Sequence, residues 1–245
     1  MRMRRVAPYV FVVLAIAAVA LAEQPAGLPV VYRFDEVKSK VMRLPGADPK
    51  SEEVKAKAGD AAAAGDTVRT GFWGRAILSV PDRACRFEVF SSTRVRLAGG
   101  EPGVILFLES GRLEAFFDKF TGAAEERRVA APGALLVVRG TRYGVETGAG
   151  EQSTLAVFEG TVEVLPTAPG ARRLLVGPGE YGVFGPKISP RKGAIAPGAD
   201  ERSWRSRGTA ALEGSSGLQQ GQGPQTPLGT GSQGRGGPSA SRGGH

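Results

Sequence analysis

Short apolar runs separated by turn-forming residues constrain the fold of this chain more than any other feature. Between about residues 66 and 185, runs of roughly four to eight residues are interrupted at regular intervals by Gly, Pro or Asp. Many of these runs alternate apolar and polar residues, which is the two-residue period of a half-buried strand. The pattern predicts strands at residues 75–80, 86–90, 93–97, 104–109, 112–117, 127–131, 134–139, 141–147, 153–159, 161–165, 172–176 and 181–184.

This spacing predicts an all-β fold with many short antiparallel strands, arranged as a twisted two-sheet sandwich or as a solenoid-like module. Three predicted turns share one pattern, in which an apolar strand ends, Gly and a polar residue follow, and a second strand begins. Glycine suits such turns because it has no Cβ and adopts a positive φ without strain. The three turns contain Gly111, Gly140 and Gly160.

The strand pattern divides the chain into a lead, a domain and a tail. Residues 23–59 form a lead with one or two predicted strands, and residues 60–185 form the all-β domain. Residues 186–245 are rich in Gly, Ser, Gln and Pro, a composition that buries too little apolar surface to offset the entropy of ordering. We therefore expect a disordered tail, and we expect the part from about residue 205 to add nothing to the stability.

The N-terminus has the three parts of a signal peptide. Residues 1–5 are basic, residues 6–22 are apolar and uncharged, and Ala20 and Ala22 form a small-x-small cleavage site before Glu23. The prediction is export to the periplasm or the extracellular space. The alternative is an uncleaved membrane anchor, although 17 apolar residues are fewer than the roughly 20 that a spanning helix needs.

The distribution of charge argues against a nucleic-acid partner. The chain has a net charge of +8, but residues 23–201 hold 24 basic and 23 acidic side chains, so the excess lies at the two ends. A nucleic-acid-binding domain concentrates positive charge on its folded part. We expect no nucleic acid among the partners, and contact with a membrane only if the N-terminal segment stays uncleaved.

The inventory of reactive residues excludes several enzyme classes. The chain has one cysteine, Cys85, and one histidine, His245, so it cannot form a Ser-His-Asp triad or a multi-histidine metal site. We expect no cofactor and no metal, and we expect Cys85 to be a partly buried, unreactive thiol. We interpret five acidic residues, most of them beside Gly, Ser or Pro at predicted strand ends, as residues that cap turns and not as an acid–base pair. They are Asp60, Asp66, Asp82, Glu88 and Glu109.

Four aromatic residues allow two interpretations. Trp73, Phe116, Phe117 and Phe120 could stack on a sugar or a peptide, or strand periodicity could place alternate rings in the core. The second interpretation is the prediction.

The order of these strands and turns resembles the FecR protein domain family over about residues 60–165. The matching stretches are the opening Gly65-Asp66 with Thr70, the turn Gly140-Thr141 and the hairpin at Gly160. Ala131-Pro132 stands where the family has Thr-Pro, and Tyr143 stands where it has Phe. The resemblance implies an all-β extracytoplasmic module of the kind that relays a signal from an outer-membrane iron–siderophore receptor to a sigma factor.

Three functional hypotheses follow from the residues and the resemblance. Because only five residues precede the apolar segment, we expect the cytoplasmic sigma-regulating part to be missing. The leading hypothesis is therefore a non-catalytic binding or scaffolding module, whose partner is a protein or another envelope macromolecule. The alternative is an accessory regulator of cell-surface signalling that acts through a separate transmembrane partner, and an enzyme with a carboxylate pair on a β scaffold is a distant third.

Overall fold

The structure is a computed structural model and describes residues 30–46, 51–98, 103–119 and 127–212. These residues form 17 strands and one α-helix, α1 (Glu201–Arg207). The strands are β1 (Val31–Lys38), β2 (Val41–Leu44), β3 (Val54–Lys55), β4 (Ala61–Ala63), β5 (Thr67–Thr70), β6 (Arg75–Val80), β7 (Cys85–Val89), β8 (Arg94–Leu97), β9 (Val104–Phe117), β10 (Arg127–Ala131), β11 (Ala134–Val138), β12 (Arg142–Thr147), β13 (Ser153–Glu159), β14 (Val162–Pro166), β15 (Leu174–Val176), β16 (Glu180–Gly185) and β17 (Ile188–Ala194).

The strands pair into two sheets that share one strand. Sheet A has the order β4-β1-β6-β7-β9-β12-β13-β16-β17, and all its pairs are antiparallel. Sheet B has the order β3-β2-β5-β8-β9-β10-β11-β14-β15, and its pairs are antiparallel except for the parallel pair β9–β10. The prediction of an all-β fold with short, mainly antiparallel strands is confirmed.

Strand β9 is the element that belongs to both sheets. Its first half, up to Ser110, pairs in sheet B, and its second half, from Gly111, pairs in sheet A. The chain bends between the halves at Gly111, whose φ is +88°. A Cβ at this glycine would lie 2.6 Å from the Cα of Thr93, so no other residue fits without a shift of the backbone. The two strands predicted at 104–109 and 112–117 are therefore one bent strand.

Side chains from the inward faces of both sheets form one apolar core. Leu113 and Phe87 of sheet A, and Leu106 and Leu136 of sheet B, have no exposed surface. The phenol of Tyr32 in β1 donates a hydrogen bond to the carbonyl oxygen of Ile105 in β9 and so joins the two sheets.

The lead predicted at residues 23–59 belongs to this fold, with three strands instead of one or two. β1 pairs with β4 and β6, β2 pairs with β3 and β5, and Tyr32, Phe34 and Val41 lie in the common core. The predicted signal peptide and its cleavage residues lie outside the described residues.

The predicted end of the domain at residue 185 is wrong. β17 pairs with β16 in sheet A, and residues 196–212, here called the C-terminal segment, continue into α1 and a 3-10 turn. Trp204, Ala211 and Leu212 are buried, so residues up to 212 pack against the fold, where the sequence predicts a disordered tail. The rest of the predicted tail, residues 213–245, lies outside the described residues.

Gly140 occupies the positive-φ turn that the sequence predicts, with a φ of +61° between β11 and β12. A Cβ at this position would approach the Cα of Lys119 to 3.0 Å. We expect Gly140→Val to lower the free energy of unfolding by about 1–3 kcal/mol, because β-branched residues are strained at positive φ.

The test is a denaturant melt with Gly148→Val as the control. Gly148 has a φ of −91° and open space around its Cα, so its substitution should shift the free energy of unfolding by less than about 0.5 kcal/mol. Equal effects of the two substitutions would contradict the prediction.

Candidate functional site

The outward side of sheet A carries a cluster of charged and aromatic side chains. Successive residues of a strand point to opposite faces, so β9 directs Leu113 and Phe117 into the core and Arg112, Glu114 and Phe116 outward. Neighbouring strands add side chains at matching levels. We call this surface the outer face, and it consists of Glu88, Phe90, Arg112, Glu114, Phe116, Arg142, Gly144, Glu146, Ala156 and Phe158.

Two buried carboxylates lie side by side at the centre of the outer face. Glu88 in β7 pairs in register with Glu114 in β9, and their side chains are 4% and 0% exposed. Arg205 from α1 reaches both: its Nε lies 2.7 Å from Glu114 Oε2, and its Nη1 lies 3.7 Å from Glu88 Oε2. Arg75 in β6 contacts the other oxygen of Glu88 at 2.6 Å. Each carboxylate thus has an arginine partner, as buried charges require.

Further polar contacts attach the C-terminal segment to the outer face. Arg142 forms ion pairs with Glu114 and with Glu201 of α1. Glu146 accepts hydrogen bonds from the backbone N–H and the hydroxyl of Thr209, at 2.6 and 2.8 Å. Arg112 donates to the carbonyl oxygens of residues 204 and 205, at 3.2 and 3.1 Å. The carbonyl oxygen of residue 204 also accepts a hydrogen bond from the backbone N–H of Gly208. The carbonyl oxygen of residue 205 lies in the last turn of α1, where backbone acceptors lack partners within the helix.

Trp204 is the apolar centre of this contact. Its ring is fully buried and packs edge-on against Phe90 and Phe158, at centroid distances of 5.7 and 6.0 Å. Below it lies Gly144 of β12, where a Cβ would come within 2.4 Å of the indole. The missing side chain at Gly144 therefore creates the space that the tryptophan fills.

The pKa of Glu114 bears on the catalytic hypothesis. Burial raises this pKa to about 7, and the hydrogen bonds from Arg205 act in the opposite direction. A carboxyl group that titrates near neutrality is a feature of general acids. Here, however, the side chain is fully buried, and both oxygens accept hydrogen bonds from Arg205, at 2.7 and 3.1 Å. The arrangement holds a guanidinium group and leaves no open position for a substrate.

The cluster corrects two expectations about the acidic residues. Glu88 does not cap a turn but lies within β7, and it is grouped with Glu114, so the acidic residues are not only spread over turns. Glu109 also lies in a strand and pairs with Arg94 at 2.6 Å. Glu114 was missed because its partners Arg142 and Arg205 lie 28 and 91 residues away in sequence. Its place between Arg112 and Phe116 in an alternating strand was the available signal.

The remaining predicted site residues have structural positions. Asp66 is buried and accepts hydrogen bonds from the N–H groups of residues 46 and 63, at 2.9 and 3.1 Å. The hydroxyl of Thr70 accepts from the N–H of Thr93 at 2.9 Å. Asp60 accepts from the N–H of residue 57 at 2.8 Å, as a turn-capping residue does. Gly65 and Gly160 lie in turns and have positive φ, and the buried Thr141 lies beside a turn. Gly111 also has a positive φ, but it lies at the bend within β9 and not in the turn that the sequence predicts.

A second surface consists of a tight turn with two exposed aromatic rings. Phe72 and Trp73 are 73% and 79% exposed, and their rings meet edge-to-face at 4.8 Å. They lie between Gly71 and Gly74, where an added Cβ would come within 3.2 and 2.3 Å of Lys40. We call residues 71–74 the aromatic turn. The sequence predicts that alternate rings of a set of four lie in the core. Phe117 is a core residue and Phe116 lies on the outer face, whereas Trp73 is outside the core. Phe120 lies outside the described residues.

No group of metal-ligating side chains occurs within the four described ranges. Within the same ranges, no helix is both long and apolar enough to cross a membrane. Cys85 is 7% exposed, and burial raises its pKa to about 12, against the weaker effects of Arg127 and Arg83.

Taken together, the fold and these surfaces define an all-β two-sheet domain whose outer face is covered by its own C-terminal segment. The family model described as FecR protein matches residues 66–163. The resemblance seen in the sequence is confirmed over these residues.

Solved structures provide a more distant comparison. Two crystal structures of a candidate anti-sigma factor from Parabacteroides distasonis are similar to the chain, with identities of 16% and 15% and TM-scores of 0.43 and 0.46. The matches cover 52% and 57% of this chain, and 59% and 63% of the other. The chain therefore spans less than two thirds of those proteins. No curated protein matches the chain.

The raised pKa of Cys85 predicts a slow reaction with alkylating reagents. A shift from 9.0 to about 12 lowers the thiolate fraction by roughly a thousandfold at pH 8, because each pKa unit is a factor of ten. Iodoacetamide should therefore leave the native protein largely unmodified and should label it rapidly in guanidinium chloride. Mass spectrometry gives both rates, and a native rate close to the unfolded one would contradict the burial of this thiol.

Proposed function

We propose that this chain is an exported, non-catalytic FecR-type module that binds a protein of the cell envelope through its aromatic turn. The observation that carries the proposal is the exposure of Phe72 and Trp73, since large aromatic side chains commonly dominate the binding energy of protein interfaces. Among the described residues, the other exposed large apolar side chains are aliphatic: Val31, Val54 and Leu175.

The geometry of the aromatic turn supports binding. Hydrogen bonds from the N–H of Gly71 to the carbonyl oxygen of Lys40, at 2.8 Å, and from the N–H of Gly74 to that of Gly71, at 2.9 Å, fix the backbone beneath the rings. Rings presented on a fixed backbone lose less entropy on binding than rings on a flexible loop. The exposed Lys40 beside them favours a partner with an acidic rim.

A second candidate function is regulatory. The match to the FecR family supports an accessory role in cell-surface signalling, acting through a separate transmembrane partner. A neighbouring gene for a sigma factor or an outer-membrane receptor would favour this role. Deletion of the gene should then change transcription from promoters that depend on that sigma factor, and unchanged transcription would favour the simple binding module.

The proposed location is tested by the N-terminus of the mature protein. We expect sequencing of the exported chain to begin at Glu23, because Ala20 and Ala22 precede the predicted cleavage. A chain that retains Met1 and fractionates with membranes would instead support an anchor formed by residues 6–22.

The proposed contact is tested by photo-crosslinking in the native host. A photoreactive phenylalanine at position 73 should yield a protein adduct of one defined mass, and the same group at position 175 should not. Trp73→Ala should then weaken binding of the identified partner by about 30-fold, equivalent to about 2 kcal/mol.

Leu175→Ala is the matched control, because Leu175 is also exposed and lies in β15 of sheet B. Both variants should keep the free energy of unfolding within about 0.5 kcal/mol of the parent. Adducts at both positions, or equal affinities of the two variants, would contradict a role for the aromatic turn.

A further inference from the structure

The C-terminal segment covers the outer face without joining the main core. The core cluster between the sheets contains no residue of this segment. Trp204 and Leu212 belong to a second, small cluster with Phe90 and Ala156. The main core thus has its full set of side chains whether or not the segment is in place.

The segment is also attached in the way that a bound peptide is. It adds no strand to either sheet, and its contacts to the outer face are made by side chains of sheet A. It follows β17 through residues 196–199, a turn that includes Pro197 and Gly198, and Gly198 has a φ of +82° with open space around it. The C-terminal segment can therefore move away from the outer face by rotation at this turn, and no strand pair is broken.

The shape and the charges of the outer face match two side chains of the C-terminal segment. Gly144 leaves a slot of the size of an indole, and the next residue of the segment, Arg205, places its guanidinium between the carboxylates of Glu88 and Glu114. An aromatic ring followed directly by an arginine meets both requirements at once. Such pairing of a deep apolar anchor with a buried bidentate ion pair is typical of specific interfaces.

The C-terminal segment does not satisfy every polar group at this contact, so another ligand that does so would bind the outer face more tightly. Among the described residues, the indole Nε1 of the buried Trp204 has no hydrogen-bond acceptor, and an unpaired buried donor costs about 1–3 kcal/mol. After release, the exposed surface would hold Glu88, Arg112, Glu114 and Arg142, which water solvates well. Opening the segment thus exposes charged side chains together with the aromatic rings of Trp204, Phe90 and Phe158.

We propose that the outer face of sheet A is a binding surface for a helical segment of a partner protein that carries an aromatic residue followed by arginine, and that residues 200–212 occupy it in cis. This surface is distinct from the aromatic turn, so the inference does not depend on the proposed function. The tethered segment competes at an effective concentration in the millimolar range. A partner thus binds only when its own affinity exceeds this competition, and the segment sets a threshold for binding.

The test cleaves the chain in the turn of residues 196–199, which connects the C-terminal segment to β17. A protease recognition sequence is inserted between Gly198 and Ala199, and the purified protein is cleaved. The probe is a fluorescent synthetic peptide with the sequence of residues 200–212, and fluorescence anisotropy measures its binding. The cleaved protein should bind the peptide at least tenfold more tightly than the uncleaved protein, because the tethered competitor has become diffusible.

Two peptides of equal charge separate specific from general electrostatic binding. Arg205→Ala in the peptide should weaken binding at least tenfold, because Arg205 contacts Glu88 and Glu114. Arg207→Ala should change binding less than twofold, because Arg207 is exposed. Equal losses from the two peptides would overturn the proposal.

A second variant addresses the stability of the domain. Trp204→Ala in the uncleaved chain should leave a cooperatively folded domain by near-UV circular dichroism and should allow it to bind the peptide. Unfolding after cleavage or in this variant would show that the segment is a permanent part of the fold and would overturn the proposal. Exchange of the segment between two copies, seen as a dimer in gel filtration, would replace the partner protein by a second copy and would also overturn it.

Discussion

One bent strand determines how the two sheets of this domain are joined. β9 pairs in sheet B up to Ser110 and in sheet A from Gly111, so neither sheet is complete without it. Since side chains alternate along a strand, the same strand fixes which residues enter the core and which form the outer face. A change at Gly111 that moved this register by one residue would place Glu114 in the core and Leu113 on the surface.

The charges on the outer face determine where α1 is placed, and they add little to the free energy of unfolding. Removing two carboxylates and a guanidinium from water is costly, and their mutual attraction does little more than offset that cost. Loss of one partner, by contrast, leaves a buried charge uncompensated. The Arg205–Glu114 pair therefore favours one placement of α1 over others, while the attraction itself comes mainly from the burial of Trp204 against Phe90 and Phe158.

The strands could be predicted from the sequence because the information for them is local. Alternation over four to eight residues and glycine at turns suffice, and the predicted bounds of β6 and β13 agree with the structure. The joining of two predicted strands into β9 depends on sheet pairing that no window of sequence reveals. The position of Gly140 was predictable for the same local reason as the strands.

The outer face could not be predicted, because its partners are distant in the chain. Glu114 and Arg205 are 91 residues apart, and residues 196–212 contain too few apolar side chains to suggest a packed element by composition. The segment packs on the outer face nevertheless, because the single large ring of Trp204 fills the space that Gly144 provides. The position of Trp73 could not be predicted from strand periodicity, because that periodicity does not apply to a ring placed between two glycines in a turn.

The two candidate surfaces are connected through a short series of contacts. Arg75 directly follows the aromatic turn and pairs with Glu88, and Glu88 also contacts Arg205 of the C-terminal segment. When the segment is released, Arg75 is left as the ion-pair partner of Glu88. The carboxylate of Glu88 thus contacts the C-terminal segment through Arg205 and the start of β6 through Arg75. Any coupling of binding at the two surfaces must be reciprocal, and Glu88 is the residue through which the described contacts would carry it.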